Sequence, residues 1–187
     1  MDIGRTESAV SVYLDGKLVR GPSTVDSAVA VSESDELFTG NSAREFCREE
    51  PKSRYLMLFD PIPESEYLFG SSGIETITAI GRFLSDLLTL AIEDIPENEH
   101  YRTVVIHTDD FEHEENYMFL KGAEQSTLDP DALIIGTADL LFSYDELGES
   151  FTMAVEMGSD SVVISFTDEV KGEGLAFWGR RIDFSKD

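Results

Sequence analysis

The chain has 187 residues, of which 41% are apolar, and this is enough for one folded domain with its own core. Thirty-eight Asp and Glu against 14 Lys and Arg leave a net charge of −24. A chain so acidic repels phosphate, which excludes ordinary binding to nucleic acid or anionic lipid. Cys47 is the one thiol, so an intrachain disulfide is excluded and a reducing compartment is the simplest context.

The N-terminal residues, Met1 to Arg5, lead into a polar alternating stretch and not into an apolar run, so the sequence predicts no signal peptide. The longest apolar-rich segment, Ile74 to Ile95, is interrupted by charged side chains and is too polar to span a bilayer. We therefore expect a cytoplasmic or virion location without membrane insertion.

The N-terminal third predicts strands separated by turns. Residues 8–20 alternate on both sides of Asp15-Gly16, which predicts a β-hairpin, and Val25 to Val31 alternates again. The acidic region 32–52 is a candidate loop or assembly arm, with a short helix at Ala43–Glu49. We expect residues 1–187 to form a single domain.

One long amphipathic helix is predicted at about 73–95. Its apolar side chains recur every three or four residues, Ser72 and Glu75 have the spacing of a capping box, and Pro96 ends the pattern. The apolar run Arg54 to Phe59 precedes it and predicts a buried strand.

The remainder of the chain predicts a β-rich region. Its expected strands are Thr103–His107, Tyr117–Leu120, Leu133–Ile135, Leu140–Tyr144, Phe151–Met157, Ser161–Thr167 and Leu175–Phe184. Gly158-Ser159-Asp160 predicts a hairpin between two of them. The pattern predicts an α+β fold, mostly antiparallel β (sandwich or barrel-like) with the 73–95 helix packed on it. A doubly wound sheet is disfavoured because β-α-β alternation is not regular.

The densest group of chemically active side chains runs from His107 to Glu115. His107, Asp109 and His113 could bind a transition metal, and the carboxylates alone could bind Ca²⁺. Their spacing matches neither a zinc-binding helix nor an EF-hand loop. We favour a solvated acidic loop and predict no metal site.

Three other segments give no catalytic or cofactor-binding residue. Flanking arginines could activate Cys47, but a lone thiol facing a core is the commoner case. Gly70-Ser71-Ser72-Gly73 lacks the ending of a phosphate-binding P-loop. Trp178, beside Arg180-Arg181, is either an interface anchor or a core residue.

The first hairpin reads Val12-Tyr13-Leu14-Asp15-Gly16-Lys17-Leu18-Val19, followed by Gly21 and an alternating strand. This run is similar to the opening of tailed-virus tail-tube subunits, a resemblance that covers about a third of the chain. The runs Phe119 to Ala123, Asp129 to Ala132 and Leu140 to Phe142 are loosely similar to the end of that fold. The resemblance implies a β-sandwich with a flanking helix that assembles into rings. The acidic residues would then give the rings a negatively charged lumen through which DNA passes without binding.

The acidity has three competing explanations: adaptation to molar salt, which screens self-repulsion; a decoy surface for a basic partner; or an assembled wall that does not bind DNA. We expect a non-enzymatic structural subunit of a larger symmetric assembly, such as a tail tube or head–tail connector adapted to high salt. Its partners would be copies of itself and neighbouring subunits. The alternative is an acidic inhibitor, an immunity protein or nucleic-acid mimic, that binds a basic toxin or nuclease.

Overall fold

A computed structural model describes residues 1–14, 16–50, 54–59, 74–93, 95, 100–108, 113–142, 152–157, 161–169 and 175–183. These residues form an α+β fold with mostly antiparallel strands. The strands are β1 (Asp2–Ile3), β2 (Glu7–Leu14), β3 (Lys17–Asp26), β4 (Ala28–Val31), β5 (Leu37–Thr39), β6 (Arg54–Met57), β7 (Val104–His107), β8 (Leu133–Gly136), β9 (Thr152–Met157), β10 (Ser161–Glu169) and β11 (Leu175–Asp183). The helices are α1 (Gly40–Glu49), α2 (Thr76–Ile92), α3 (His113–Gln125) and α4 (Thr137–Phe142).

A mixed five-stranded sheet with the order β3-β2-β1-β7-β8 carries the main core. The strands β1, β2 and β3 are antiparallel neighbours, whereas β1, β7 and β8 run parallel to one another. Because β7 and β8 are joined through α3, they form one β-α-β unit. The sheet is therefore mixed, with one parallel half, whereas most strands of the fold are antiparallel as predicted.

The hairpin predicted at residues 8–20 is confirmed. β2 pairs with β3 from Glu7 opposite Asp26 to Leu14 opposite Lys17, and Gly16 lies in the turn with φ of +72°. A positive φ strains other side chains, so the glycine is what allows this short turn. The segment Val25 to Val31, in contrast, is divided between β3 and β4 and does not form one strand.

A small sheet with the order β5-β4-β6 lies next in the chain. The region 32–52, expected to be a loop or assembly arm, contains β5 and α1. Phe38 of β5 stacks on Phe46 of α1 with ring centroids 4.2 Å apart. The strand predicted from Arg54 is present as β6 and ends at Met57.

Helix α2 lies within the predicted range 73–95 but is 17 residues long. Its N-cap is Glu75, so the capping box expected from Ser72 and Glu75 does not start this helix. Its apolar side chains pack on the inner face of the five-stranded sheet, where the largest buried ones are Phe83, Ile80 and Leu84. The apolar face of this amphipathic helix thus packs on the core, as predicted.

Helix α3 packs against α2 through two glycines. A Cβ added at Gly81 would lie 2.9 Å from the carbonyl oxygen of Gly122, and one added at Gly122 would lie 2.5 Å from a methyl carbon of Ile80. No side chain fits at this crossing, which brings the helices close enough for Phe119 to be fully buried. The predicted strand Tyr117–Leu120 was wrong, because these residues form the middle of α3.

The chain ends in an antiparallel sheet with the order β11-β10-β9. Its β9–β10 hairpin was predicted, with Val162 opposite Met157 and Thr167 opposite Thr152. The predicted strand from Leu140 was wrong, because Leu140 lies in α4. Of the described helices, none combines the length and apolar character that crossing a membrane would require.

Candidate functional site

Three parallel strands end at one edge of the five-stranded sheet, which we call the carboxyl edge. Here β1 ends at Ile3, β7 at His107 and β8 at Gly136. The amide of Thr108 donates to the carbonyl oxygen of Ile3 at 3.0 Å, and the hydroxyl of Thr137 donates to that of His107 at 3.1 Å. These bonds hold the three strand ends together, and ligands of open α/β sheets bind outside the carboxyl ends of parallel strands.

The turn between β1 and β2 forms the centre of this edge. A Cβ added at Gly4 would lie 2.5 Å from the carbonyl oxygen of Glu7, so only glycine fits the turn. Ser27 fixes the turn from behind, because its hydroxyl donates to the Gly4 carbonyl oxygen at 2.7 Å and its amide to that of Thr6 at 2.9 Å. These two hydrogen bonds connect the turn to the segment between β3 and β4.

Arg5 ties the same turn to two distant segments. Its buried guanidinium donates to both carboxylate oxygens of Glu115 in the first turn of α3, at 3.0 and 2.7 Å. It also donates to the carbonyl oxygen of Phe59, which follows β6. A bidentate pair of this kind fixes geometry as well as charge. Arg5 thus joins the turn, α3 and the end of β6 in one polar cluster.

The carboxyl edge presents polar groups that suit a phosphorylated ligand. Gly4, Thr6 and Thr137 are all half-buried at the strand ends. Tight turns with consecutive amides bind anions. Glu7 is exposed beside them, so a bridging cation would offset its repulsion of a phosphate.

The residues considered for a metal site do not form one in the part of the chain that the structure describes. The ring of His107 lies against Phe119, with centroids 5.3 Å apart, and Glu115 is bound by Arg5. Asp109 and the side chain of His113 lie outside the described residues. Among those described, no group of three potential metal ligands occurs. The segment ending at Glu115 is also not all loop, since α3 begins at His113.

Of the other three candidates, the structure describes Cys47 and the backbone around Trp178. Cys47 is half-buried on α1. Gly70 to Gly73 lies outside the described residues. Trp178, Arg180 and Arg181 lie on β11, opposite Phe166, Ile164 and Val163 of β10, and their side chains are not described.

Sequence reasoning missed Gly4, Arg5 and Thr6. The local signal is the pair Gly4-Arg5, but the same pair occurs at Gly81-Arg82 and Gly179-Arg180, so it does not identify a site. The two-residue strand β1 is too short to give a periodic pattern, and the Glu115 partner of Arg5 is 110 residues away in sequence.

Comparison with known proteins finds a solved structure with a similar fold. No protein family and no curated protein matches the chain. Among solved structures, the chain is similar to MamK, an actin-like protein, in its non-polymerising A278D mutant bound to AMPPNP. The TM-score is 0.59 at 16% identity, and the match covers 95% of this chain and 52% of the MamK chain. The chain thus shares a fold with about half the length of that protein.

Proposed function

We propose that this chain is one half of an actin-like subunit, that its carboxyl edge binds an adenine nucleotide, and that it builds a symmetric assembly. The observation that carries the proposal is the convergence of the Gly4 turn with the ends of β7 and β8. This edge belongs to a fold shared over 95% of the chain with a MamK structure bound to AMPPNP.

The nucleotide would bind through its phosphates. The Gly4 turn contains Thr6, and Thr137 follows the end of β8, where its hydroxyl donates to the His107 carbonyl oxygen. A magnesium ion on the phosphates would reduce their repulsion by Glu7 and by the net charge of −24. We assign no described residue to bond cleavage, so the proposal concerns binding.

Calorimetry with Mg²⁺ and AMPPNP tests this proposal. We expect saturable binding, weakened by Gly4→Ala because the new Cβ must displace the turn, and weakened less by Thr137→Val. Gly21→Ala is the matched control, since a Cβ at Gly21 meets no atom within 4 Å. Thr78→Val, on the exposed side of α2, is the control for the loss of a threonine hydroxyl.

The nucleotide proposal fails if AMPPNP does not bind the folded chain. It also fails if Gly4→Ala and Gly21→Ala bind with equal affinity, because the ligand would then lie elsewhere. Each variant is compared by circular dichroism first, so that loss of binding is separated from loss of fold.

The assembly part rests on the sheet formed by β9, β10 and β11. One face of this sheet exposes four large apolar side chains: Met153 at 55%, Val155 at 48%, Met157 at 81% and Ile182 at 44%. They share a face because Val162 lies opposite both Met157 and Ile182, and because alternate residues of β9 point to the same side. An exposed group of apolar side chains of this kind favours burial by another polypeptide. A second layer on it would give the sandwich-like packing expected from the sequence.

Light scattering across salt concentrations tests assembly. We expect association that strengthens as salt screens the charge of −24, and that is lost in Met157→Asp. Glu156→Asp, which changes the neighbouring side chain but not the apolar face, is the control. A folded monomer at every salt concentration would contradict assembly and would favour the acidic-inhibitor alternative, which a basic nuclease would then test directly.

A further inference from the structure

The end of the β2–β3 hairpin exposes three large apolar side chains, Tyr13 at 63%, Leu18 at 52% and Val19 at 53%. Tyr13 lies directly opposite Leu18 in the register of the two strands, so these two side chains lie on one face of the hairpin. Together with Lys17, which is also exposed, we call these residues the hairpin tip. An exposed group of aromatic and aliphatic side chains is typical of a contact between proteins.

The charge of this hairpin differs from that of the rest of the chain. Residues 8–25 contain one acid, Asp15, and two bases, Lys17 and Arg20, which give +1 in a chain of net charge −24. Arg20 donates to the carbonyl oxygen of Leu90 at 2.7 Å, so its charge is held against α2. Two copies of so acidic a chain repel each other least where one of them presents few carboxylates. The hairpin tip therefore suits an acidic partner, and a second copy of this chain is such a partner.

A partner would contact the side chains of the hairpin tip and would not add a strand to the sheet. β3 lies at the edge of the five-stranded sheet, but its register with β2 shifts twice, and Val19 has no residue of β2 opposite it. Pro22, also on β3, has no amide hydrogen to donate. Bulges and proline on an edge strand hinder pairing with another strand.

The β9–β10 hairpin offers a surface of complementary character. β9 exposes Met153, Val155 and Met157, which we call the β9 surface. Residues 145–170 contain seven Asp and Glu and no Lys or Arg. The arginines of this sheet, Arg180 and Arg181, are on β11, at the opposite edge from β9. An apolar surface in an acidic segment thus matches an apolar tip that carries an exposed lysine.

We propose that the hairpin tip of one copy packs on the β9 surface of the next copy. This inference rests on the assembly part of the proposed function and names the two surfaces that meet. Because the contact joins two different surfaces, each bound pair keeps one free hairpin tip and one free β9 surface, and further copies can add to it. One kind of contact then buries both exposed apolar groups and places Lys17 near the acidic segment.

Two variants, each blocking one surface, test the proposal by light scattering at a salt concentration where the parent assembles. Leu18→Asp blocks the hairpin tip and keeps the β9 surface, whereas Met157→Asp does the reverse. We expect each variant alone to stay monomeric. An equimolar mixture should form a complex of one copy of each, because the intact tip of one variant binds the intact β9 surface of the other. Thr24→Asp adds the same charge at an exposed position of β3 outside the tip, and should assemble like the parent.

Lys17→Glu tests the contribution of charge to the same contact. We expect it to weaken association about twofold to fivefold at the lowest salt concentration at which the parent assembles, because an exposed charge pair contributes little. Lys121→Glu is the matched control, since it makes the same change in net charge at an exposed position of α3.

The inference alone is overturned if the parent assembles but the mixture of the two blocked variants stays monomeric. It is also overturned if Leu18→Asp assembles like the parent, or if Lys17→Glu and Lys121→Glu behave alike. A parent that is monomeric at every salt concentration overturns the assembly proposal as well, so the two failures are distinguishable. Circular dichroism checks the fold of each variant, and Tyr13→Asp blocks the same surface if Leu18→Asp does not fold.

Discussion

The two larger sheets of this molecule differ in how completely their apolar side chains are buried. The inner face of the five-stranded sheet is covered by α2 and α3, and Ile3, Val10 and Val105 on it have no exposed surface. The β9–β10–β11 sheet exposes Met153, Val155 and Met157 on one face. The difference indicates that the first sheet has its core within the described residues, whereas this face of the second is left exposed by them.

Arg5→Met should give the largest effect, because it removes the buried guanidinium that binds both oxygens of the part-buried Glu115 carboxylate. We expect a loss of about 3–5 kcal/mol in the free energy of unfolding, measured with urea. The double variant Arg5→Met/Glu115→Leu should recover most of the loss. A single variant as stable as the parent would show that the first sheet is not held at its carboxyl edge in the way described.

Leu84→Ala and Val155→Ala compare how strongly side-chain packing stabilises each of the two sheets. Leu84 is fully buried between α2 and the five-stranded sheet, so its truncation should cost about 2–5 kcal/mol. Val155→Ala on the second sheet should cost less than about 0.5 kcal/mol in the monomer. Equal losses in urea unfolding would mean that the two sheets are equally packed.

Gly122→Ala should cost about 1–3 kcal/mol, because its Cβ overlaps the Ile80 side chain and forces α2 and α3 apart. Gly21→Ala is the control, because open space surrounds that position. If thermal unfolding shows no difference between them, the close crossing of α2 and α3 does not exist in solution.

The smallest effect is expected on the exposed surface of α3. The pKa of Lys121 is raised mainly by its hydrogen bond to Glu124 and secondly by the attraction between the two opposite charges. A raised pKa stabilises the folded state at pH values below the ordinary pKa of lysine, and this contribution is lost as the pH rises through the raised value. In Glu124→Gln the pKa of Lys121 should fall, as an NMR titration would measure. An unchanged pKa would contradict the pairing.

Local signals accounted for the elements that the sequence predicted correctly. Asp15-Gly16 encodes the first hairpin, the spacing of apolar residues encodes α2, and the alternating strands on either side of Gly158-Ser159-Asp160 encode the β9–β10 hairpin. In each case the partners lie close together in sequence, so the pattern is visible without knowledge of the fold.

The remaining features depend on contacts between distant segments. The apolar run Tyr117–Leu120 is too short for its pattern to distinguish a helix from a strand. In the structure it is part of α3, which packs closely on α2 at Gly122. The carboxyl edge requires β1 to lie between β2 and β7, with Asp2 opposite both Ala9 and Ile106. No local pattern contains that order of strands, and so the candidate site was not predictable.

Nucleotide binding at the carboxyl edge is tested by a backbone NMR titration of the folded chain with Mg²⁺ and AMPPNP. We predict saturable shifts at Gly4, Thr6, Thr108 and Thr137, and none in the β9–β10–β11 sheet. Shifts that are absent from the Gly4 turn, or that appear mainly around Met153 to Met157, would contradict nucleotide binding at the carboxyl edge.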